Sequence, residues 1–363
     1  MSFCGSYRHD DVNFLLKRLP PQPFVDIAQK EKLIQSGARH YSEMLSPESL
    51  PSPRYLKLFK DACVANRQQM ARDCLLLAAL IAARRSGPIA LVSLVRAGTP
   101  VGVILKHLLH RVMGRQATHY SVSIIRDRGI DEVALRYILD QGHAPESLTF
   151  IDGWTGKGVI SRVLEQAVSA FNQRNEVAID SGLYVLSDLA GTATCAASSA
   201  DYLIPSSILN ATVSGLVSRS VLNESIGTGD FHGCVYYNAF EPHDLSRAFA
   251  DGLIADGERQ AKCDGIPKAK PIDRQAVATV SAEFLHTTMA QHGIVDVNLV
   301  KPGIGEATRV LLRRAPRLLI LRNPDALDVA HLKLLATEKS VPLIKDADLP
   351  YQAVSLIRSA MDG

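Results

Sequence analysis

The 363-residue sequence has little that would staple, anchor or metallate a chain. Its six cysteines (Cys4, Cys63, Cys74, Cys195, Cys234 and Cys263) form no C-x-x-C pair. Neither a zinc site nor a secreted disulfide framework is indicated, and no metal is expected on that ground. No apolar run approaches the roughly 20 residues of a membrane span. The start, Met1 to Asp10, has no apolar h-region, so a cytoplasmic chain with free thiols is expected. Charge of one sign is also lacking. Forty Lys+Arg against 37 Asp+Glu give +3, too small a bias to argue for nucleic acid by itself. Aromatics are 6% of the chain, with one tryptophan, Trp154. The remaining mixture, 47% hydrophobic and 21% charged, is that of a globular protein able to bury its own core in two or three domains.

The hydrophobic pattern predicts α/β architecture. Pro20, Pro21 and Pro23 break the irregular start, and a helical pattern runs from Leu56 to Arg85, stopped by Ser86-Gly87-Pro88. Ile89 to Val95 is a nearly continuous apolar run, as a buried parallel strand should be. Helix and strand then alternate: Val101–Val112, Tyr120–Ile125, Glu132–Leu139, Leu148–Ile151, Val159–Phe171, Leu183–Leu186. This predicts a parallel sheet covered by helices. Residues 253–278 are polar and partly proline-punctuated and read as a linker. They separate a front domain, 1–252, from a small α/β domain, 279–363.

Ligands of parallel sheets sit beyond the carboxyl ends of the strands. One such end reads Val95-Arg96-Ala97-Gly98-Thr99-Pro100, with Thr99 as expected N-cap, Pro100 in the first turn and Arg96 beside free N–H groups. An ordinary capped turn explains it equally well. A second end reads Asp152-Gly153-Trp154-Thr155-Gly156-Lys157-Gly158. Its glycines, hydroxyl and lysine suit an anion, though the spacing is not that of a Walker loop.

At these residues the chain resembles type I phosphoribosyltransferases. The resemblance implies that Thr155 to Gly158 hold a 5-phosphate, that Asp152 faces ribose hydroxyls, and that Arg96 to Thr99 hold pyrophosphate. One departure is plain: Gly153 stands where the family carries a second acid. Longer strings resemble a narrower group, the cysteine protease StiP family, associated with tellurium-resistance and stress gene clusters. They include Cys4-Gly5-Ser6-Tyr7, His40 to Leu45, Arg126 to Asp131, Asp152 to Gly158, Ile204 to Arg219 and Pro242 to Leu245. That resemblance implies a cysteine peptidase on a phosphoribosyltransferase-like fold. It needs no cofactor as a peptidase, and Mg2+ if phosphoribosyl pyrophosphate is the substrate.

A cysteine hydrolase needs a thiol, a base beside it and oxyanion donors. Cys195, just past a strand end, is the expected nucleophile. His40, His232 and His243 are the candidate bases, and Asp188, Glu43 and Asp244 the acids able to orient an imidazole. Packing roles are the plain alternative for each. The segment Val300 to Ile344 resembles the Pelota-type RNA-binding domain. There Gly305 stands where relatives carry asparagine, Glu306 matches their acid, and Arg309 replaces their lysine. Lys301, Gly305, Glu306, Arg309 and Arg313 are therefore the expected RNA contacts. A peptide or a ribose phosphate is the expected substrate, RNA a possible partner, and a nucleotide-sensing RNA adaptor a third reading.

Overall fold

The computed structural model of the chain describes residues 3–21 and 25–359; Met1, Ser2 and the breaker Pro23 lie outside them. Two short strands, β1 (Asn13–Leu15) and β2 (Lys17–Leu19), precede α1 (Ile27–Gln35) and the 32-residue α2 (Pro53–Arg84). Helix α2 begins where its sequence allows: Ser52 accepts a bond from the Tyr55 amide and Pro53 stands in the first turn. Then follow β3 (Ile89–Leu94), α3 (Gly98–Arg111), β4 (Ala117–Val122), the short pair β5 (Ile124–Ile125) and β6 (Gly129–Ile130), and α4 (Glu132–Asp140). The front domain continues with β7 (Leu148–Thr155), α5 (Val159–Asn175), β8 (Leu183–Asp188), β9 (Cys195–Ser198), β10 (Gly233–Val235) and α6 (Ser246–Asp264).

Six of these strands form one parallel sheet in the order β1-β4-β3-β7-β8-β9. Strands β3, β7 and β8 are buried throughout, which is why they read as continuous apolar runs. Alternate residues of β3 serve two cores. Ile89 and Leu91 pack with α2, α3 and α6 on one face, whereas Ala90, Val92 and Leu94 pack with α4 and α5 on the other.

Helix α6 corrects the expected linker. Ala250, Leu253 and Ile254 are buried in the α2/α3 core, so residues 253–264 are the second half of a packed helix. The connection shrinks to 265–273. Beyond it lie α7 (Arg274–His292), β11 (Val300–Pro302), α8 (Ile304–Arg313), β12 (Pro316–Leu321), α9 (Ala330–Glu338), β13 (Leu343–Lys345) and β14 (Ala353–Ile357). Their sheet is mixed, in the order β11-β14-β12-β13.

The two domains share a core. Ile304, Ala307 and Leu311 of α8 pack with Tyr55, Phe59 and Ala62 of α2 and with Leu203, Ile208 and Leu209. Polar bonds fix the docking. Asp201 of the front domain accepts from the Ile304 amide (3.0 Å) and the Gln352 amide (2.7 Å), and Asp328 accepts from Asn66 (2.9 Å). Among the described residues no helix is long and apolar enough to cross a membrane.

Candidate functional site

The two expected anion turns meet at the carboxyl edge of the sheet. A Cβ on Gly98, the first residue of α3, would lie 2.4 Å from the Ile151 carbonyl oxygen, so only glycine permits this approach. Helix α3 therefore starts at Gly98 with Ala97 as its cap, not at Thr99. The Thr99 side chain is buried against Ser121 (2.7 Å) and caps nothing. Strand β7 runs on through Asp152, Gly153, Trp154 and Thr155, so the turn begins only at Gly156. The Gly158 amide donates to Thr155 Oγ1 (3.1 Å) and closes it.

Above this edge lie two adjoining chambers, of about 220 and 300 Å3, that share Tyr41, Asp152, Trp154, Ile160, Arg219, Arg309 and Arg313 in their walls. The first is lined by Arg96, Ala97 and the stretch from Ser206 to Ser220; the second by Thr155 to Gly158. The far wall of both belongs to the C-terminal domain. Lys301, Glu306, Arg309 and Arg313 all face the second chamber. The Arg309 guanidinium lies over the Trp154 indole, 4.4 Å from its centroid. A Cβ on Gly156 would come within 3.0 Å of the Pro302 carbonyl oxygen and 3.1 Å of Glu306.

Positive charge dominates the second chamber. Lys30, Lys157, Arg219, Lys301 and Arg313 line it, and none of them is ion-paired among the described residues. Lys157 donates to the Val297 carbonyl oxygen (2.5 Å), and Arg313 to Asn210. Burial, joined by the neighbouring Lys301, pushes the Lys157 ammonium down to about 7. Burial with Arg219 and Arg314 nearby brings Lys30 to about 7 as well. Burial and the crowd of guanidinium groups lower Arg313 to about 9.

Other expected residues are placed differently. The Arg96 guanidinium is already held by Glu48 (2.7 and 2.9 Å), the Val217 carbonyl (3.1 Å) and Asn210 (3.1 Å), so it braces the wall instead of awaiting pyrophosphate. Cys195 opens β9 opposite Tyr184, at the far end of the sheet from Thr155, which pairs with Asp188. It is buried in the apolar core, no imidazole reaches it, and burial pushes its thiol up. Asp188 accepts from the Ala190 (3.0 Å) and Ala193 (2.8 Å) amides and shapes the turn after β8. His40 caps a short helical turn through Ser42, and His232 bonds Ser123 (2.7 Å). His243 is exposed. None of the three approaches a cysteine, so the expected Cys195–His pair does not form. Lys301, Gly305, Glu306, Arg309 and Arg313, expected to face RNA, instead line or pack against the hollow between the domains.

The pairing that does form is Cys4 with His9, Sγ to Nδ1 3.6 Å, partly exposed in the loop before β1. Both residues lie in or beside the Cys4-Gly5-Ser6-Tyr7 string, so a five-residue Cys–His spacing was the available signal. Burial raises Cys63 and Cys234 to about 12 and Cys74 further, and none of them has an imidazole partner.

A sequence profile described as tellurite-like stress resistance cysteine protease StiP matches residues 5–254. The chain belongs to the StiP cysteine protease family. The curated protein named cysteine protease StiP, from Acinetobacter baylyi, is 39% identical over 377 aligned positions, covering 99% of this chain and 96% of that one. A second profile, the Pelota RNA-binding domain, matches residues 279–359. Among solved structures, the hypoxanthine phosphoribosyltransferase of Trypanosoma cruzi aligns at 13% identity over 38% of this chain and 82% of its own, with a TM-score of 0.28. A hypoxanthine-guanine phosphoribosyltransferase of Bacillus anthracis aligns at 11% identity over 38% and 80%, with a TM-score of 0.27. Likenesses of that size carry no argument about activity. The string Ile204 to Arg219, quoted above for this StiP chain without a role, supplies Ser206, Ser207, Asn210, Ser214 and Arg219 to the first chamber.

The magnesium implied by a ribose-diphosphate substrate finds no protein cage here. No group of three or more His, Cys, Asp or Glu able to hold a metal occurs among the described residues. Asp152 stands alone at the chamber floor, with Oδ1 accepting from the Gly153 amide (2.7 Å). Burial raises its carboxyl to about 6, against the pull of Arg309. A carboxyl raised on folding stabilises the fold below its unfolded value near 4, and that stability is lost as pH rises through about 6. Asp152→Asn keeps the acceptor and removes the ionisation. Its stability relative to the parent should therefore rise by roughly 1–3 kcal/mol between pH 4 and pH 7. Urea midpoints at the two pH values measure this; an unchanged difference would show that Asp152 is not held protonated.

Proposed function

We propose that this StiP-family chain is a thiol peptidase whose nucleophile and base are Cys4 and His9. The observation that carries this is the 3.6 Å approach of His9 Nδ1 to Cys4 Sγ, the cysteine–histidine contact formed among the described residues. The chemistry is that of a two-step acyl transfer. Cys4 Sγ passes its proton to His9 Nδ1 and adds to the scissile carbonyl carbon. The C–N bond breaks as His9 returns the proton to the departing amine. Water then hydrolyses the thioester, restoring the thiol and releasing the acid. Iodoacetamide on a Cys263→Ala background tests the assignment, because Cys263 is the other exposed thiol. Peptide mapping should find carbamidomethyl on Cys4 in step with loss of proteolysis. Inactivation with Cys4 unmodified would reject it.

A second reading is favoured by the charge of the hollow. Five cations without a carboxylate partner, beside the turn Thr155 to Gly158, support binding of a phosphate-bearing ligand such as a ribose phosphate. In that reading Asp152 faces the sugar. RNA contact through the C-terminal domain belongs with it, since phosphate is the shared chemistry. The tellurite stress context is that of the family's name.

A further inference from the structure

The first chamber is lined by polar atoms left without partners. Ser206 Oγ, Ser207 Oγ, Ser220 Oγ, Trp154 Nε1, Arg219 Nη1 and Arg313 Nε are buried and make no hydrogen bond in the protein. The three serines are 8, 7 and 6% exposed. Buried donors are almost always satisfied, so six around one cavity point to a ligand that satisfies them. The adjoining chamber holds the unpaired cations. The wall between the chambers comes from both domains: Asp152 and Trp154 from one, Arg309 and Arg313 from the other.

We propose that the hollow is a composite site for a compact ligand bearing a phosphate and a diphosphate, and that helix α8 of the C-terminal domain is one of its walls. This rests on the phosphate reading of the turn Thr155 to Gly158. The phosphate lies by Lys157 in the larger chamber, and the diphosphate by Ser207, Ser220 and Arg219 in the smaller. Lys301 and Arg309 complete the charge from the C-terminal side. Gly305 supports the same assignment. A Cβ there would meet the Trp154 ring at 2.4 Å, so the asparagine of the RNA-binding relatives has no room in the docked arrangement. The helix start that reads RNA in those relatives is instead fitted to the loop of its own front domain.

The test titrates the full chain with inorganic pyrophosphate and with ribose 5-phosphate by calorimetry. Trp154, the single tryptophan and a wall of both chambers, gives a fluorescence readout for the parent. Both probes should bind and change that fluorescence. Lys157→Gln should weaken ribose 5-phosphate at least tenfold. The double variant K301Q/R309Q should weaken pyrophosphate at least tenfold. S207A/S220A removes two hydroxyls with no protein bond to lose, so it should fold normally and weaken pyrophosphate at least threefold. If K301Q/R309Q binds as the parent does while Lys157→Gln does not, the composite site is wrong and the phosphate turn survives. If S207A/S220A leaves pyrophosphate binding unchanged, the assignment of the smaller chamber is wrong. If the parent binds neither probe, both the inference and the phosphate reading fall.

Discussion

Cys4→Ala should reduce proteolytic turnover on the order of 10³-fold or more, whereas Cys195→Ala should leave it unchanged. The contrast follows from where the two thiols lie. Cys195 is enclosed by the sheet core at the end of β8 and β9 remote from the hollow, without an imidazole. Cys4 stands in a loop pinned on both sides. The Phe14 amide donates to the Phe3 carbonyl (2.7 Å), the Ser6 amide to the Gly215 carbonyl (3.1 Å), and Tyr7 is buried with its hydroxyl on the Val213 carbonyl (3.2 Å). Gly5, at φ +58, lies so close to Gly215 that a Cβ would be 2.4 Å from its carbonyl oxygen. The loop is thus held while Cys4 and His9 remain partly exposed, which a nucleophile and its base require. His9→Ala should lower turnover together with the rate of Cys4 alkylation, a pairing that a merely structural histidine would not give. Unimpaired cleavage by Cys4→Ala would remove the thiol reading of this loop.

The alternation of apolar runs made the sheet legible because buried parallel strands carry no polar face to confuse the pattern. Ile89 to Leu94 and Leu183 to Asp188 are fully buried. Short edge strands left no such trace: β1 has three residues and β9 four, and their pairing depends on chain segments far away. Polar composition misled at 253–264, where the charged residues form the outer face of a helix whose Leu253 and Ile254 are buried. The convergence of the Arg96 and Asp152 turns was legible because strand order follows from the fold class. Occupancy of Arg96 was not, since its partner Glu48 lies 48 residues away in an irregular segment. The meeting of α8 with Trp154 was hidden for the same reason. Residues 154 and 305 are joined by a domain interface, and neither the glycine nor the tryptophan announces the other.

That meeting supplies the other large expected effect. Gly305→Asn installs the residue that RNA-binding relatives carry and should lower stability by about 1–3 kcal/mol, the usual cost of overpacking a filled site. Intrinsic propensity predicts the opposite, because asparagine is a better helix former than glycine. A loss therefore has to come from the clash. Any Cβ at 305 meets Trp154 Cε2 at 2.4 Å, Cζ2 at 2.6 Å and Nε1 at 2.8 Å. The indole has little room to retreat, with Arg309 on its face and its own strand buried throughout. Helix α8 must then shift from the loop or the ring must turn, and either event moves Trp154 fluorescence in native buffer. Trp154→Ala opens the space that the new side chain needs, so the double variant should be less destabilised than the sum of the two single changes. Additive urea midpoints, read by circular dichroism, would mean that the two residues do not touch in solution. In that case the C-terminal domain could not form a wall of the hollow.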